Sequence, residues 1–274
     1  MATTKAYPGV TPKAIRRVIL EQARRAHVGH IGSALSIADI MAALFSNYPI
    51  PRDWEAVEAG LRDRFVLSKG HAALALYAAL HLQGRLEKSV LDTYCGDGSY
   101  LGVHPEKELG GVDFSSGSLG QGLSTGAGAA LAMRLKGHPG RVRVLMSDAE
   151  LNEGSTWEAI MFAAHGKLDN LDVIVDLNGQ QAMGRTRDVL DLSPQVPRWE
   201  AFGWGVRECD GHDSEALQTN LEAMALGCGK PQVLLASTVS GKGVSFMENQ
   251  IKWHYWPLSE TDFATAMAEM EKAK

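Results

Sequence analysis

Two strand-like apolar runs stop at residues suited to holding a cation. Residues 142–146 lead into Ser147-Asp148-Ala149-Glu150, and residues 171–176 lead into Leu177-Asn178-Gly179-Gln180. Asp148 and Asn178 lie 30 residues apart, about the length of one strand–helix–strand unit. On adjacent parallel strands they would set a carboxylate and an amide oxygen side by side. Magnesium suits such a pair, since it takes few protein oxygens and completes its shell with water and phosphate. The helix expected after Asp148 would point its first N–H groups at a phosphate. Asp148 and Asn178 also suit ordinary turns, and spacing alone leaves both readings open. Three histidines stand beside glycine or proline: His30 in Gly29-His30-Ile31-Gly32, His71 in Lys69-Gly70-His71-Ala72, and His104 in Val103-His104-Pro105. Imidazole is the side chain best placed to exchange protons near neutrality, although each of the three also suits a hydrogen-bonded turn. None falls at His-x3-His spacing, which argues against zinc.

These groups need a scaffold, and the apolar pattern supplies one. Residues 65–67, 142–146, 171–176, 206–210 and 233–237 read as short strands. Helices are expected over 11–27, 36–45, 72–80 and 152–165, the first with Thr11 as cap and Pro12 at its first position. Asp213 and Ser259 would open two more. Strands separated by helices need crossover connections, so the expected fold class is α/β, a mostly parallel sheet covered by helices on both faces. Ligands of such sheets gather at the carboxyl ends of the strands, where Asp148 and Asn178 stand. No repeat or linker-like tract divides residues 1–274, so one domain is expected.

Composition excludes several classes of partner. With 45% apolar and 22% charged residues the chain is globular in character. A net charge of −5 and a pI near 6.0 leave no basic footprint for nucleic acid or an anionic membrane. The longest apolar run, residues 72–80, is far short of the roughly 20 residues of a membrane span. Residues 1–13 lack the apolar core of a signal peptide, so a cytoplasmic location is expected. Cys95, Cys209 and Cys228 are odd in number and unpaired in spacing, as in a reduced compartment. Gly122-Leu123-Ser124-Thr125-Gly126 fits the nucleophile elbow of serine hydrolases, yet the polar, glycine-rich stretch 115–121 is no strand. The competing reading is a helix whose small residues permit close packing. A Walker A loop fails, with Ala236 at its first glycine and Gly243 after Lys242, and no Gly-x-Gly-x-x-Gly follows a strand.

Taken together, five blocks resemble the transketolase family. Residues 148–159 (Asp-Ala-Glu-Leu-Asn-Glu-Gly-Ser-Thr-Trp-Glu-Ala), 167–171 and 176–178 resemble its thiamine-diphosphate motif. The others are 67–72 (Leu-Ser-Lys-Gly-His-Ala), His104-Pro105-Glu106, 116–122 (Ser-Gly-Ser-Leu-Gly-Gln-Gly) and 241–249 (Gly-Lys-Gly-Val-Ser-Phe-Met-Glu-Asn), in the family's order. The resemblance implies the thiamine-diphosphate-binding (PP) fold. Asp148, Asn178 and the Gln180 carbonyl would hold Mg2+, or Ca2+ in its place, against the cofactor diphosphate. His71 and His254 would face both the diphosphate and the substrate channel, with His30 and His104 at the reacting carbon. Gly117, Ser118 and Leu119 would lie along the aminopyrimidine, with Ala149 and Glu150 in the cofactor loop. Glu153 and Glu158 match acidic residues near a subunit interface.

The implied reaction moves a two-carbon ketol unit from a ketose (phosphate) to an aldose (phosphate). The family's pyrimidine-binding domain carries a glutamate that activates the cofactor. Since residue 274 precedes any such domain, a second subunit of about 300 residues is expected, carrying the pyrimidine-binding and C-terminal domains in a heterotetramer. Related alternatives are a deoxyxylulose-phosphate-synthase-like or 2-oxo acid dehydrogenase-like subunit and a non-catalytic pseudo-subunit. The chain departs from the family pattern at Ser147 and Ala149, where glycines are usual. It departs again at Val103, and at Tyr255-Trp256 after His254. A glycine needed for positive φ would make Ser147 strained, and the other changes would alter the mouth of the substrate channel.

Overall fold

The computed structural model describes residues 6–46 and 62–272, so part of the N-terminal stretch 1–13 lies outside the described residues. Strands β1 (Arg64–Leu67), β2 (Val142–Ser147), β3 (Leu171–Leu177), β6 (Gly205–Asp210) and β7 (Gln232–Ser237) form a parallel sheet in the order β1-β2-β3-β7-β6. Between β3 and β6 the chain makes an antiparallel hairpin, β4 (Gln180–Gln181) and β5 (Gly184–Arg185). Successive strand residues face opposite ways. Leu145, Ile174 and Leu234 accordingly belong to one apolar core, while Val144, Val173, Val175, Val233 and Leu235 belong to the other.

On the first face lie α1 (Pro12–Ala26), α2 (Ile31–Ser36), α3 (Ala38–Phe45), α4 (Ala73–Leu82) and the short α5 (Lys88–Leu91). The second face carries α6 (Gly122–Leu135), α7 (Gly154–His165) and, after the short α8 (Thr186–Leu190), α9 (Gln195–Ala201). The first face is completed by α10 (Ser214–Ala225), the short α11 (Lys252–Tyr255) and α12 (Glu260–Lys272). The expected layered α/β sheet is present. No described helix is long and apolar enough to cross a membrane.

Local chemistry explains the boundaries. Thr11 Oγ1 accepts from Ala14 N at 3.1 Å, and α1 ends where His27 turns left-handed. Asp213 caps α10 through the N–H groups of Glu215 and Ala216, and Ser259 Oγ accepts from Asp262 N to open α12. The helix expected over 36–45 is present as α3, Ala38–Phe45, and a separate helix that the sequence did not suggest, α2, ends just before it at Ile37. Ser36 turns its hydroxyl onto the Ser33 carbonyl and the Asp176 carboxylate there, a local bond that competes with helix continuation. The helix expected from residue 152 begins at Gly154 instead. A tight 3-10 turn, Asp148–Asn152, precedes it, closed by reciprocal bonds between Ser147 and Glu150.

The small residues of α6 are there for packing. A Cβ on Gly126 would lie 2.4 Å from Val144 Cγ2, and one on Gly122 would overlap Ser68. Ser124 is exposed on a helix with no strand before it, which removes the hydrolase reading. Trp199, Trp204 and Trp253 are buried, but Trp256 is 62% exposed.

Candidate active site

The carboxyl ends of β1, β2 and β3 converge, and their neighbouring loops enclose a cleft of about 520 Å3. Register pairs Ser147 with Asp176 across β2 and β3, so Asp148 and Asn178 emerge next to one another. Asp148 is 5% exposed. Its donors are neutral: Ala149 N and Gly179 N at 2.9 Å each, and Thr186 Oγ1 at 2.9 Å. Burial, then the charge of Asp176, pushes its carboxyl up to about 7. A carboxylate held this way is one that a divalent ion would restore to full charge.

Asn178 is oriented from behind. Its Nδ2 donates to Asp176 at 2.7 Å and its Oδ1 accepts from Gln180 N at 2.9 Å. Asp176 is itself fully buried, gripped by Lys69, by Ser36 Oγ at 2.8 Å and by Thr238 Oγ1. Lys69, also fully buried, reaches the Ser33 carbonyl at 3.2 Å as well. Gly179, at φ 70, lets the chain turn from Asn178 into the hairpin. Asn178 and Gln180 line both the main cleft and a neighbouring cavity of about 440 Å3, and Asp148 and Thr186 line the latter. The donor set of one carboxylate, one amide oxygen and one nearby backbone carbonyl fits a hard cation.

Three imidazoles face one another across the cleft. The ring centroids of His30, His71 and His254 are 5.2–5.5 Å apart. His71 Nε2 is bonded to Ser33 Oγ at 2.8 Å. His30, at φ 62, caps α2, and its N–H donates to the His254 carbonyl at 3.1 Å. Burial lowers all three. His254 falls to about 4, with His30 and Lys69 adding to the shift; His71 falls well below its ordinary value, with Lys69 the next cause. For His30 the second cause is His104. The three rings are therefore neutral at pH 7, able to accept as well as donate hydrogen bonds.

Gly117, Leu119, Ala149 and Glu153 also line the cleft. His104 does not, although it stands close enough to bias His30 and packs on Gly117, where a Cβ would meet its ring at 3.3 Å. Ser118 is exposed and Glu158 points outward from α7, so neither lines the cleft. Glu150 differs most from expectation. Its oxygens turn inward to Ser68 Oγ, Gly120 N and Ser147 N, so it braces the turn that carries Asp148 rather than facing a ligand.

The departures at 147–149 carry no backbone penalty. Ser147 is extended at φ −92, ψ 159, a conformation open to any residue. Tyr255 bridges to the hairpin, its hydroxyl donating to the Ala182 carbonyl at 2.6 Å. Sequence reasoning missed Ser33, Thr186 and the Lys69–Asp176 pair, because each acts through a residue distant in the chain.

The strand ends of a parallel α/β sheet thus gather a buried carboxylate, an amide and three clustered imidazoles around two adjoining cavities. A family model described as transketolase, thiamine diphosphate binding domain, matches residues 10–271. The chain is 39% identical over 263 residues to the 6-deoxy-6-sulfo-D-fructose transketolase subunit SqwG of Clostridium sp. (strain MSTE9), covering 94% of each. It is 38% identical over 258 residues to an apulose-4-phosphate transketolase subunit of Phocaeicola vulgatus, covering 94% of this chain and 91% of that one. Among solved structures, the transketolase of Leishmania mexicana superposes with a TM-score of 0.88 at 29% identity, covering 98% of this chain. That of Campylobacter jejuni gives 0.87 at 30%, covering 96%. The chain spans 42% of either solved chain's length. It belongs to the transketolase family and is a thiamine-diphosphate-binding domain of that family.

Proposed function

We propose that this chain is the diphosphate-binding subunit of a split transketolase, transferring a two-carbon ketol unit from a ketose to an aldose. The observation carrying this reading is that three neutral histidines and Asn178 share one cleft, while Asp148, beside Asn178 at the strand ends, borders the adjoining cavity that Asn178 and Gln180 also line. The end-to-end match to two transketolase subunits supports it. Thiamine diphosphate, when bound, supplies the carbon nucleophile that breaks and remakes the carbon–carbon bond. Asp148, Asn178 and the Gln180 carbonyl hold Mg2+, with Ca2+ a substitute, and Ala149, Gly117, Leu119 and Glu153 bound the cofactor. His71 and His254 face the diphosphate and the substrate. His30, with His104 beyond it, holds or moves the protons of substrate hydroxyls, a task suited to neutral imidazole.

The whole of residues 1–274 serves as a single binding domain. The pyrimidine-binding and C-terminal domains come from a second subunit in a cytoplasmic heterotetramer, and Glu158 on the outer side of α7 faces that assembly. The substrates are anionic sugars, as the names of the two relatives suggest. The test is co-expression with the pyrimidine-binding half, followed by assay with thiamine diphosphate and Mg2+. The ketose panel is fructose 6-phosphate, xylulose 5-phosphate, 6-deoxy-6-sulfofructose and apulose 4-phosphate. Ketol transfer by the pair, absent from either chain alone, is expected. No transfer from any of the four, or full activity of this chain alone, overturns the proposal.

A further inference from the structure

Among the described residues, three that line the cleft carry a buried side-chain atom with no hydrogen-bond partner: His30 Nδ1, Gln181 Nε2 and Asn152 Oδ1. Gln181 is 8% exposed, so a whole polar side chain is sealed in the wall beside the ligand space with its donor unused. Such a group costs about 1–3 kcal/mol where nothing accepts from it. It is kept where something does.

The backbone that carries Gln181 and Asn152 is held in place. Gln181 belongs to β4, paired through Gly184 with β5, and the next residue, Ala182, is tied by its carbonyl to the Tyr255 hydroxyl. Asn152 ends the Asp148–Asn152 turn. That turn is pinned by Thr156 Oγ1 on the Glu150 carbonyl and Trp157 Nε1 on the Leu151 carbonyl, each at 2.7 Å. The turn and β4 pack against one another, so the two groups occupy adjoining walls.

We propose that Gln181 and Asn152 bind the sugar substrate, Gln181 donating to and Asn152 accepting from its hydroxyl groups, and that Gln181 sets substrate specificity. The chemistry selects this ligand. One free atom is a donor and the other an acceptor, and a hydroxyl offers both functions. A cofactor diphosphate only accepts at neutral pH, so it would leave Asn152 Oδ1 unanswered; the cofactor's aminopyrimidine both donates and accepts, and weaker thiamine diphosphate binding in the variants below would assign the two atoms to it instead. A site whose buried polar groups are completed by substrate hydroxyls also rejects analogues that lack them.

This inference rests on the proposed ketol transfer and is tested in the two-subunit enzyme, using whichever ketose of the panel above turns over fastest. Gln181→Leu keeps the bulk and deletes the donor, and it should raise KM about tenfold with kcat within about twofold. Gln181→Glu also removes the donor and should raise KM in the same sense. Asn152→Ala should raise KM in the same sense. Thiamine diphosphate affinity, read by tryptophan-fluorescence titration with Mg2+, should stay within about twofold in all three. The ligand-free melting temperature of Gln181→Leu should equal or exceed that of the wild type, since a buried unsatisfied donor is gone. An unchanged KM in Gln181→Leu overturns the inference, as does weaker cofactor binding at constant KM. Wild-type enzyme without ketol transfer overturns the functional reading and this inference with it. An active wild type beside an indifferent Gln181→Leu overturns this inference alone.

Discussion

Lys69→Met is the sharpest probe of how the site is supported. Lys69 and Asp176 have fully buried side chains, and their ion pair stands directly behind Asn178. Taking away one partner of a buried pair leaves an uncompensated charge, at a cost of about 3–5 kcal/mol. Asp176 would keep three neutral donors, from Ser36, Asn178 and Thr238, which places the loss near the lower end, about 3 kcal/mol. For a chain of this size each kcal/mol moves the melting temperature by about 2–4 °C, so a drop of about 6–12 °C is expected. Thermal unfolding of the ligand-free chain, followed by circular dichroism, reads this directly. Asp176→Asn combined with Lys69→Met removes both charges and should be more stable than the sum of the single losses by at least about 1 kcal/mol. A melting point of Lys69→Met within about 2 °C of the wild type, or strict additivity in the double variant, would refute the reasoning.

Stability should fall with acid through the histidine cluster. His254 in the folded chain sits at about 4 against 6.5 unfolded, and His30 and His71 are lowered too. The unfolded state therefore binds more protons between those values. The Asp148 carboxyl, raised to about 7, acts the other way over the same range, so the histidine contribution is read as a difference: stability of His254→Gln relative to wild type should rise as pH falls from about 6.5 toward 4, and a difference independent of pH would contradict it. Asp148→Ala should abolish the Mg2+-dependent melting shift given by thiamine diphosphate. In the wild-type pair this shift should reflect about 2.7 kcal/mol at a hundredfold excess over Kd, and calorimetry with and without chelator checks both. Gly29→Ala would place a Cβ 2.4 Å from the Tyr255 carbonyl oxygen. A loss of about 1–3 kcal/mol is expected, along with a displaced His254, readable by thermal melting and by cofactor titration.

Much of this architecture was written in local pattern. The apolar runs at 142–146, 171–176 and 233–237 became β2, β3 and β7 within a residue or so, because a strand buried on both faces needs a short apolar run wherever it sits. Thr11, Asp213 and Ser259 announced helix starts through bonds to residues two or three positions away. Asp148, Asn178 and the histidine motifs were legible for the same reason, since residue type and strand-end position are features of short segments. The break at Ile37 and the delayed start of α7 were not, because they depend on Ser36 meeting Asp176 and on Glu150 folding back under Ser147. Nor could the motif reveal that Glu150 turns inward while Gln181 and Asn152 leave polar atoms beside the cleft. Burial, partnering and pKa belong to the meeting of distant segments. His254 becomes a neutral neighbour of His30 and His71 only when α11 docks on the loop before α2, and no spacing along the chain encodes that contact.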